Sequence, residues 1–284
     1  MPHDGRVSPT HQLRSPRVSE PAGLAALEGV LARCRPAAVA VSGGVDSMTL
    51  AHVAHRVLGQ DVEMFHAASP AVPADAGRRI REHADRSGWR LQVVDAGEFG
   101  DERYLANPAN RCFFCKTNLY ATLAALTDGQ LLSGTNLDDL DDWRPGLRAA
   151  DDHAVRHPFV EAGMSKRDVR QAATHHGLDD LAELPSAPCL SSRVETGIRI
   201  QPAALLIVDA VESTLRAALR PTTVRCRVRA DGVVVELDHA SLQRLDPGRR
   251  DELSHDIRTA HGVETVRFGV YERGSAFLRG ADDE

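Results

Sequence analysis

The sequence has 284 residues, 42% hydrophobic and 26% charged, with a formal net charge of −6. That length supports one large domain or two smaller ones around a buried core, and the composition is that of a globular protein. The acidic balance argues against a broad basic face and against nucleic acid as partner, and no apolar run approaches the roughly 18 residues that span a bilayer.

Residues 1–19 are rich in Pro, Ser and Arg and have no apolar signal core, so they read as a disordered leader. A chain without a signal peptide is expected to stay in the cytoplasm. In that reducing compartment its five cysteines would be core residues, metal ligands or nucleophiles, not disulfides.

Order is expected from Glu20. Leu24, Leu27 and Leu31 recur at helical spacing over 24–33, and the apolar run 37–41 reads as a buried parallel strand. A helical period resumes over 48–58, and 62–66 suggests a second strand. A helix over 74–87 stops at Gly88, and a third strand follows over 89–94. A helix over 112–126, a fourth strand over 131–134 and a helix over 166–176 ended by Gly177 continue the series. Strands alternating with helices indicate an α/β, Rossmann-like doubly wound parallel sheet, with ligands at the carboxyl ends of its strands.

The pattern changes between Pro185 and Pro202, dividing the chain into units 20–190 and 191–284. The second is a smaller α/β unit: a helix over 202–218, a strand over 222–229, a hairpin turn at Asp231-Gly232, a strand over 233–237, a helix over 251–259 and a strand over 264–270. Substrate binding and oligomerisation are expected of it.

Ser42-Gly43-Gly44-Val45-Asp46-Ser47 lies between the first strand and its helix. Paired glycines let backbone N–H groups face an anion without a Cβ in the way, and a helix start favours phosphate. Ser42 and Ser47 can add hydroxyl donors, whereas Asp46 would repel phosphate and so orients the loop or holds Mg²⁺. A bare Gly-Gly pair could equally be a ligand-free turn; the whole hexapeptide after an apolar strand resembles the ATP pyrophosphatase (PP-loop) signature. That resemblance implies that pyrophosphate is gripped while AMP passes to an acceptor. Gly134 in Ser133-Gly134-Thr135-Asn136 follows the fourth strand, where an adenylate would lie. Asp138, Asp139, Asp141 and Asp142 could bind Mg²⁺ or cap a helix.

Cys112 and Cys115 form a CxxC beside Arg111 and Lys116, and Cys189 precedes Ser191-Ser192-Arg193. In a reducing compartment CxxC is a redox pair or part of a metal site, unless both are simply buried on a helix. Cys34 and Cys226 stand alone in core-like contexts. Three thiolates can hold an iron–sulfur cubane with one iron left open.

Together SGGVDS, RCFFCK, DDLDDWRPGLRA, PCLSSR and TVRCR resemble the LarE family of ATP-dependent sulfurtransferases, over roughly residues 24–277. The resemblance implies adenylation of a carboxylate of pyridinium-3,5-dicarboxylate mononucleotide and its conversion to a thiocarboxylate, in building the nickel-pincer nucleotide cofactor. Some members sacrifice one cysteine sulfur; others use three cysteines and a cluster. With Cys112, Cys115 and Cys189 all present, a 4Fe–4S cluster is implied beside ATP and Mg²⁺, and Cys189 is required by either route. The resemblance further assigns substrate phosphate to Ser192, Arg193, Arg225 and Arg227, and metal to Glu212. It implies a homo-oligomer acting on a small nucleotide, without nucleic acid or membrane. Val194-Glu195-Thr196-Gly197 replaces the family's Phe-Pro-Tyr-Gly, and Phe268-Gly269 stands where an acidic residue is common. A tRNA thiolase, an ammonia-dependent ligase of the NAD or GMP synthetase kind, and an AMP-sensing protein without chemistry are the rival readings.

Overall fold

The computed structural model describes residues 21–141 and 145–278; the leader 1–19 and Asp142 lie outside the described residues. Its elements in order are α1 (Leu24–Ala32), β1 (Ala37–Ala40), α2 (Val45–Leu58), β2 (Val62–Ala67), α3 (Ala74–Ser87), β3 (Arg90–Val94), α4 (Glu102–Leu105), α5 (Arg111–Leu126) and β4 (Gln130–Leu132). Then come α6 (Pro145–Asp152), α7 (Pro158–Glu161), α8 (Lys166–His175), α9 (Asp179–Ala182) and α10 (Pro202–Leu219). The chain continues with β5 (Val224–Arg229), β6 (Gly232–Leu237), α11 (His239–Gln243), α12 (Pro247–His261) and β7 (Val266–Val270).

The first four strands form one all-parallel sheet in the order β3-β2-β1-β4. Helices cover both faces, and β1 shows how. Ala37 and Val39 pack with residues of α1, α2, α8 and α9, whereas Ala38 packs with Tyr120 and Leu123 of α5 and Ala149 and Ala150 of α6. Successive side chains of a strand point to opposite faces, so β1 is an unbroken small apolar run because both its sides are core. The fold is the expected Rossmann-like α/β arrangement. Its strand order reverses between β1 and β4, the position where open α/β sheets take ligands.

A second, three-stranded sheet has β5 antiparallel to β6 and β6 parallel to β7. Its core is lined by α10 (Leu205, Val208, Val211, Leu215) and by α12 (Leu253, Ile257), and it also takes in Tyr104 and Leu105 from α4. Asn107 fastens that seam: its amide donates to the carbonyls of Glu195 and Ile198 at 2.9 Å.

Several boundaries differ from the sequence expectation. The helix after β1 begins at Val45, inside the glycine turn, because Gly44 is extended and already serves as its N-cap. β4 ends at Leu132, since the Ser133 N–H turns to the Arg156 carbonyl at 3.0 Å. The hairpin turn is Ala230-Asp231, one residue early, because Gly232 already pairs with Arg229. The short helices α4, α6, α7, α9 and α11 were not expected; one or two turns carry too little periodicity to announce themselves.

Candidate active site

The turn after β1 is bonded to itself. The Ser42 N–H donates to Ser47 Oγ at 3.0 Å, the two hydroxyls lie 3.1 Å apart, and Ser47 Oγ donates to the Gly44 carbonyl at 3.2 Å. Gly43 has φ +78°, and a Cβ there would meet the Cβ and carbonyl oxygen of Ala76 at 2.9 Å. Glycine is required twice over, by backbone conformation and by the approach of α3. Gly134, after β4, closes the crevice from the other side: a Cβ would stand 2.8 Å from Ser47 N. The expected turn and the expected glycine are therefore in contact at the switch point.

Asp46 does not face the turn alone. Asn136 donates to its Oδ1 at 3.3 Å and Lys166 Nζ lies 2.5 Å from its Oδ2. Arg79 Nη1 holds the Gly43 carbonyl at 2.8 Å. Asp138 is exposed, and its Oδ2 accepts from the Lys166 N–H at 3.0 Å. Its carboxylate thus meets the start of α8, beside the Ser165/Asp168 capping box. Lys166 and Arg79 were missed by sequence reasoning, which met Asn136 only as part of the segment after the fourth strand and gave it no role. Lys166 left one trace, as the residue just after a Ser of an S-x-x-D cap, and Arg79 left none.

All five cysteines are thiols; Cys34 and Cys226 are buried in the two cores, as expected. Cys112 and Cys189 are exposed and Cys115 is half-buried. Cys112 and Cys115 ride on the first two turns of α5, which parallel topology starts at the carboxyl edge of the sheet. Cys189 reaches the same edge, because the Leu190 N–H donates to the Ala71 carbonyl just beyond β2 at 2.8 Å. Burial, and then the charge of Cys189, push the Cys115 thiol up to about 12. Lys116 is held protonated by Tyr120 and by all three of these cysteines, against its own desolvation. Among the described residues no group of three His, Cys, Asp or Glu side chains is set to hold a metal ion. Three thiols and a neighbouring cation nevertheless share one electrostatic environment at this edge.

Behind Cys189, the turn 190–193 is anchored from below. Tyr104 Oη and Ser191 Oγ lie 2.6 Å apart. Arg193, 1% exposed, is paired through Nε and Nη2 to both oxygens of Glu212, at 2.9 and 3.1 Å. Its Nη1 donates to the Pro188 and Cys189 carbonyls and to Ser192 Oγ. Glu212 is fully buried and also accepts from Arg216 Nη2 at 2.6 Å and from the Cys226 N–H at 3.0 Å. A cation at Glu212 would first have to displace an arginine, and a phosphate at Arg193 would have to outcompete a bidentate carboxylate. Arg227 is similarly committed, to Glu236 Oε2 at 2.9 Å and to the Ser192 carbonyl at 3.1 Å. Ser192 is half-buried, its hydroxyl donating to the Cys189 carbonyl at 2.7 Å. Arg225 is placed differently. It lines a cleft of about 250 Å³ with Arg216, Ser186 and Tyr271, its guanidinium 5.9 Å from the Tyr271 ring centre. Its Nη1 and Nη2 donate to the Val224 and Ser186 carbonyls at 2.7 and 3.1 Å, and burial, then the charge of Arg193, lower its proton affinity.

The fold and this crevice define a Rossmann-like α/β protein with a glycine turn at its topological switch point and three free thiols on the same sheet edge. No family model matches the chain. Over 213 residues it is 37% identical to the uncharacterized protein slr1717 of Synechocystis, covering 74% of this chain and 79% of that protein. Over 209 residues it is 30% identical to the pyridinium-3,5-bisthiocarboxylic acid mononucleotide synthase of Lactiplantibacillus plantarum, covering 72% and 75%. It is also 24% identical over 204 residues to the uncharacterized protein MJ0830 of Methanocaldococcus jannaschii. The chain belongs to the LarE-type family of pyridinium-3,5-bisthiocarboxylic acid mononucleotide synthases.

Proposed function

We propose that this protein is an ATP-dependent sulfurtransferase of nickel-pincer cofactor biosynthesis, converting a carboxylate of pyridinium-3,5-dicarboxylate mononucleotide to a thiocarboxylate. The observation that carries the reading is the shared sheet edge: a turn suited to pyrophosphate and three thiols within reach of one another's charge, in a relative of a named synthase.

ATP would lay its β and γ phosphates on residues 42–47, where the amides behind Gly43 and Gly44 and the positive end of α2 offset their charge. The acid substrate's carboxylate attacks the α phosphorus, the bond to the β-phosphate oxygen breaks, and pyrophosphate leaves into the turn. The mixed anhydride then has AMP as leaving group, and sulfur attacks its carbonyl carbon. Lys166 and Asn136 keep Asp46 in one orientation throughout, while Arg79 and the Ala76 contact hold the shape of the turn. Mg²⁺ would offset phosphate charge, with Asp46 and Asp138 the acidic groups nearest the crevice. The substrate's own phosphate suits the Arg225 cleft, with Ser192 beside it and with Arg193 and Arg227 setting the frame.

Cys112, Cys115 and Cys189 would hold a 4Fe–4S cluster, which supplies sulfide when bound. A second reading is favoured by the exposure of Cys189 and by the absence, among the described residues, of three side chains set for a metal. In it Cys189 gives its own sulfur: its Cβ–S bond and its Cα–H bond both break, leaving dehydroalanine. Anaerobically purified protein is expected to contain iron and sulfide and to release pyrophosphate only with the pyridinium acid. Cys112→Ala should remove its visible absorbance. Iron-free protein that still forms thiocarboxylate, with Cys189 lighter by one H₂S, establishes the second route. Pyrophosphate release that requires ammonia or glutamine, or salt-dependent tRNA binding, overturns the function itself.

A further inference from the structure

Among the described residues three arginines are more than nine-tenths buried, Arg111, Arg193 and Arg227. Arg193 and Arg227 each have a carboxylate partner and carbonyls on their remaining donors. Arg111 differs: it is 4% exposed, yet its Nε and Nη1 meet no acceptor on the protein. Buried guanidinium donors are normally satisfied, and a pair that meets no protein acceptor is available to a water or to an anion. Arg111 is also the first residue of α5, a 16-residue helix whose N-cap, Asn110, makes no side-chain cap and whose first turn carries no acid. The positive end of the helix dipole therefore adds to the open guanidinium, and Lys116 stands little more than a turn further along. The Phe277 ring, half-buried, covers the guanidinium at 5.5 Å.

We propose that Arg111, with the N-terminus of α5, receives an oxyanion of the acid substrate other than the carboxylate under attack, beside the Phe277 ring that lies over the guanidinium. The proposal rests on the function above, and deepens it. ATP phosphates belong to the turn after β1, whereas Arg111 adjoins Cys112, where the group to be thiolated must sit. The remaining charges of that substrate are a second carboxylate and a phosphate monoester, and a guanidinium takes either.

Two probes separate the sources and need no turnover. Benzene-1,3-dicarboxylate and inorganic phosphate are titrated calorimetrically into the full-length protein, its Arg111→Met variant and its Arg111→Lys variant. Wild type is expected to bind at least one probe, and Arg111→Met to weaken it by tenfold or more, with undiminished thermal stability because an unpaired buried charge has gone. Loss of the dicarboxylate alone assigns the carboxylate, and loss of phosphate alone assigns the monoester. Should Arg111→Met not fold, Arg111→Lys keeps the charge but not the fork, and weakened binding there supports the proposal equally. In turnover, Arg111→Met should raise KM for the acid and leave KM for ATP unchanged. Probe binding equal in all three proteins, or none by wild type, overturns the proposal. A wild type that binds a probe through Arg111 but never turns over the pyridinium acid sinks the functional reading and leaves this anion site standing.

Discussion

The turn at residues 42–47 and the segment at 188–193 lie at the same edge of the sheet and are held by different means, one by close packing of glycines and the other by a buried ion pair. In the turn the serines bond each other, Gly43 is closed in by Ala76 of α3, and Gly134 presses on Ser47 from the loop after β4, with no room for a Cβ at either glycine. The segment carrying Cys189 folds around its own Arg193, which with Ser192 bonds the Cys189 carbonyl, and it is tied to the second core through Arg193 on Glu212 and Tyr104 against Ser191. A site that must grip a leaving group benefits from such preorganisation. Under the proposed function the other half delivers sulfur, and Cys189 is exposed on its anchored segment.

If that contrast holds, Cys189→Ala should separate the halves completely, with no thiocarboxylate formed while pyrophosphate is still released; a coupled assay of both products checks it. Gly134→Ala strikes the other half. Its Cβ must push Ser47 N aside, and moving one donor of such a turn is expected to slow pyrophosphate release by about 10²-fold, measured with thiol reactivity of Cys189 unchanged. Glu212→Gln tests the ion-pair support. Leaving Arg193 and Arg216 without their carboxylate should cost about 3–5 kcal/mol in denaturant unfolding, and a loss confined to Cys189 chemistry without destabilisation would contradict it.

The smallest effect is one of pH. His52, on the helix behind the turn, is held neutral by burial and then by the charge of His176, down to about 4. Because its pKa is lowered in the fold, the unfolded chain takes up the proton first as pH falls. Stability should therefore drop between about pH 6.5, the ordinary histidine value, and about 4, then level off. His52→Gln should flatten that slope in unfolding measured across the window. An unchanged slope would shift the effect to His66, His157 and His176, whose burial also lowers them.

Much of the molecule was legible in the chain itself. A run such as 37–41 followed by SGGVDS can only be a buried strand entering a glycine turn, because small apolar residues and paired glycines serve local needs. Helix α3 was readable from end to end, its left-handed stop Gly88 included, and Cys34 and Cys226 were recognisable as core. Local chemistry determines such features within a few residues of chain. What the sequence could not announce was which charges find each other across long separations. Asp46 meets Lys166 from 120 positions away, Glu212 is enclosed by Arg193 and Arg216, and two donors of Arg111 are left without an acceptor beneath Phe277. An arginine or a glutamate reads alike on paper whether it faces water, a counterion or an empty space. Only burial makes the difference costly, and burial is settled by how the two sheets and their helices pack.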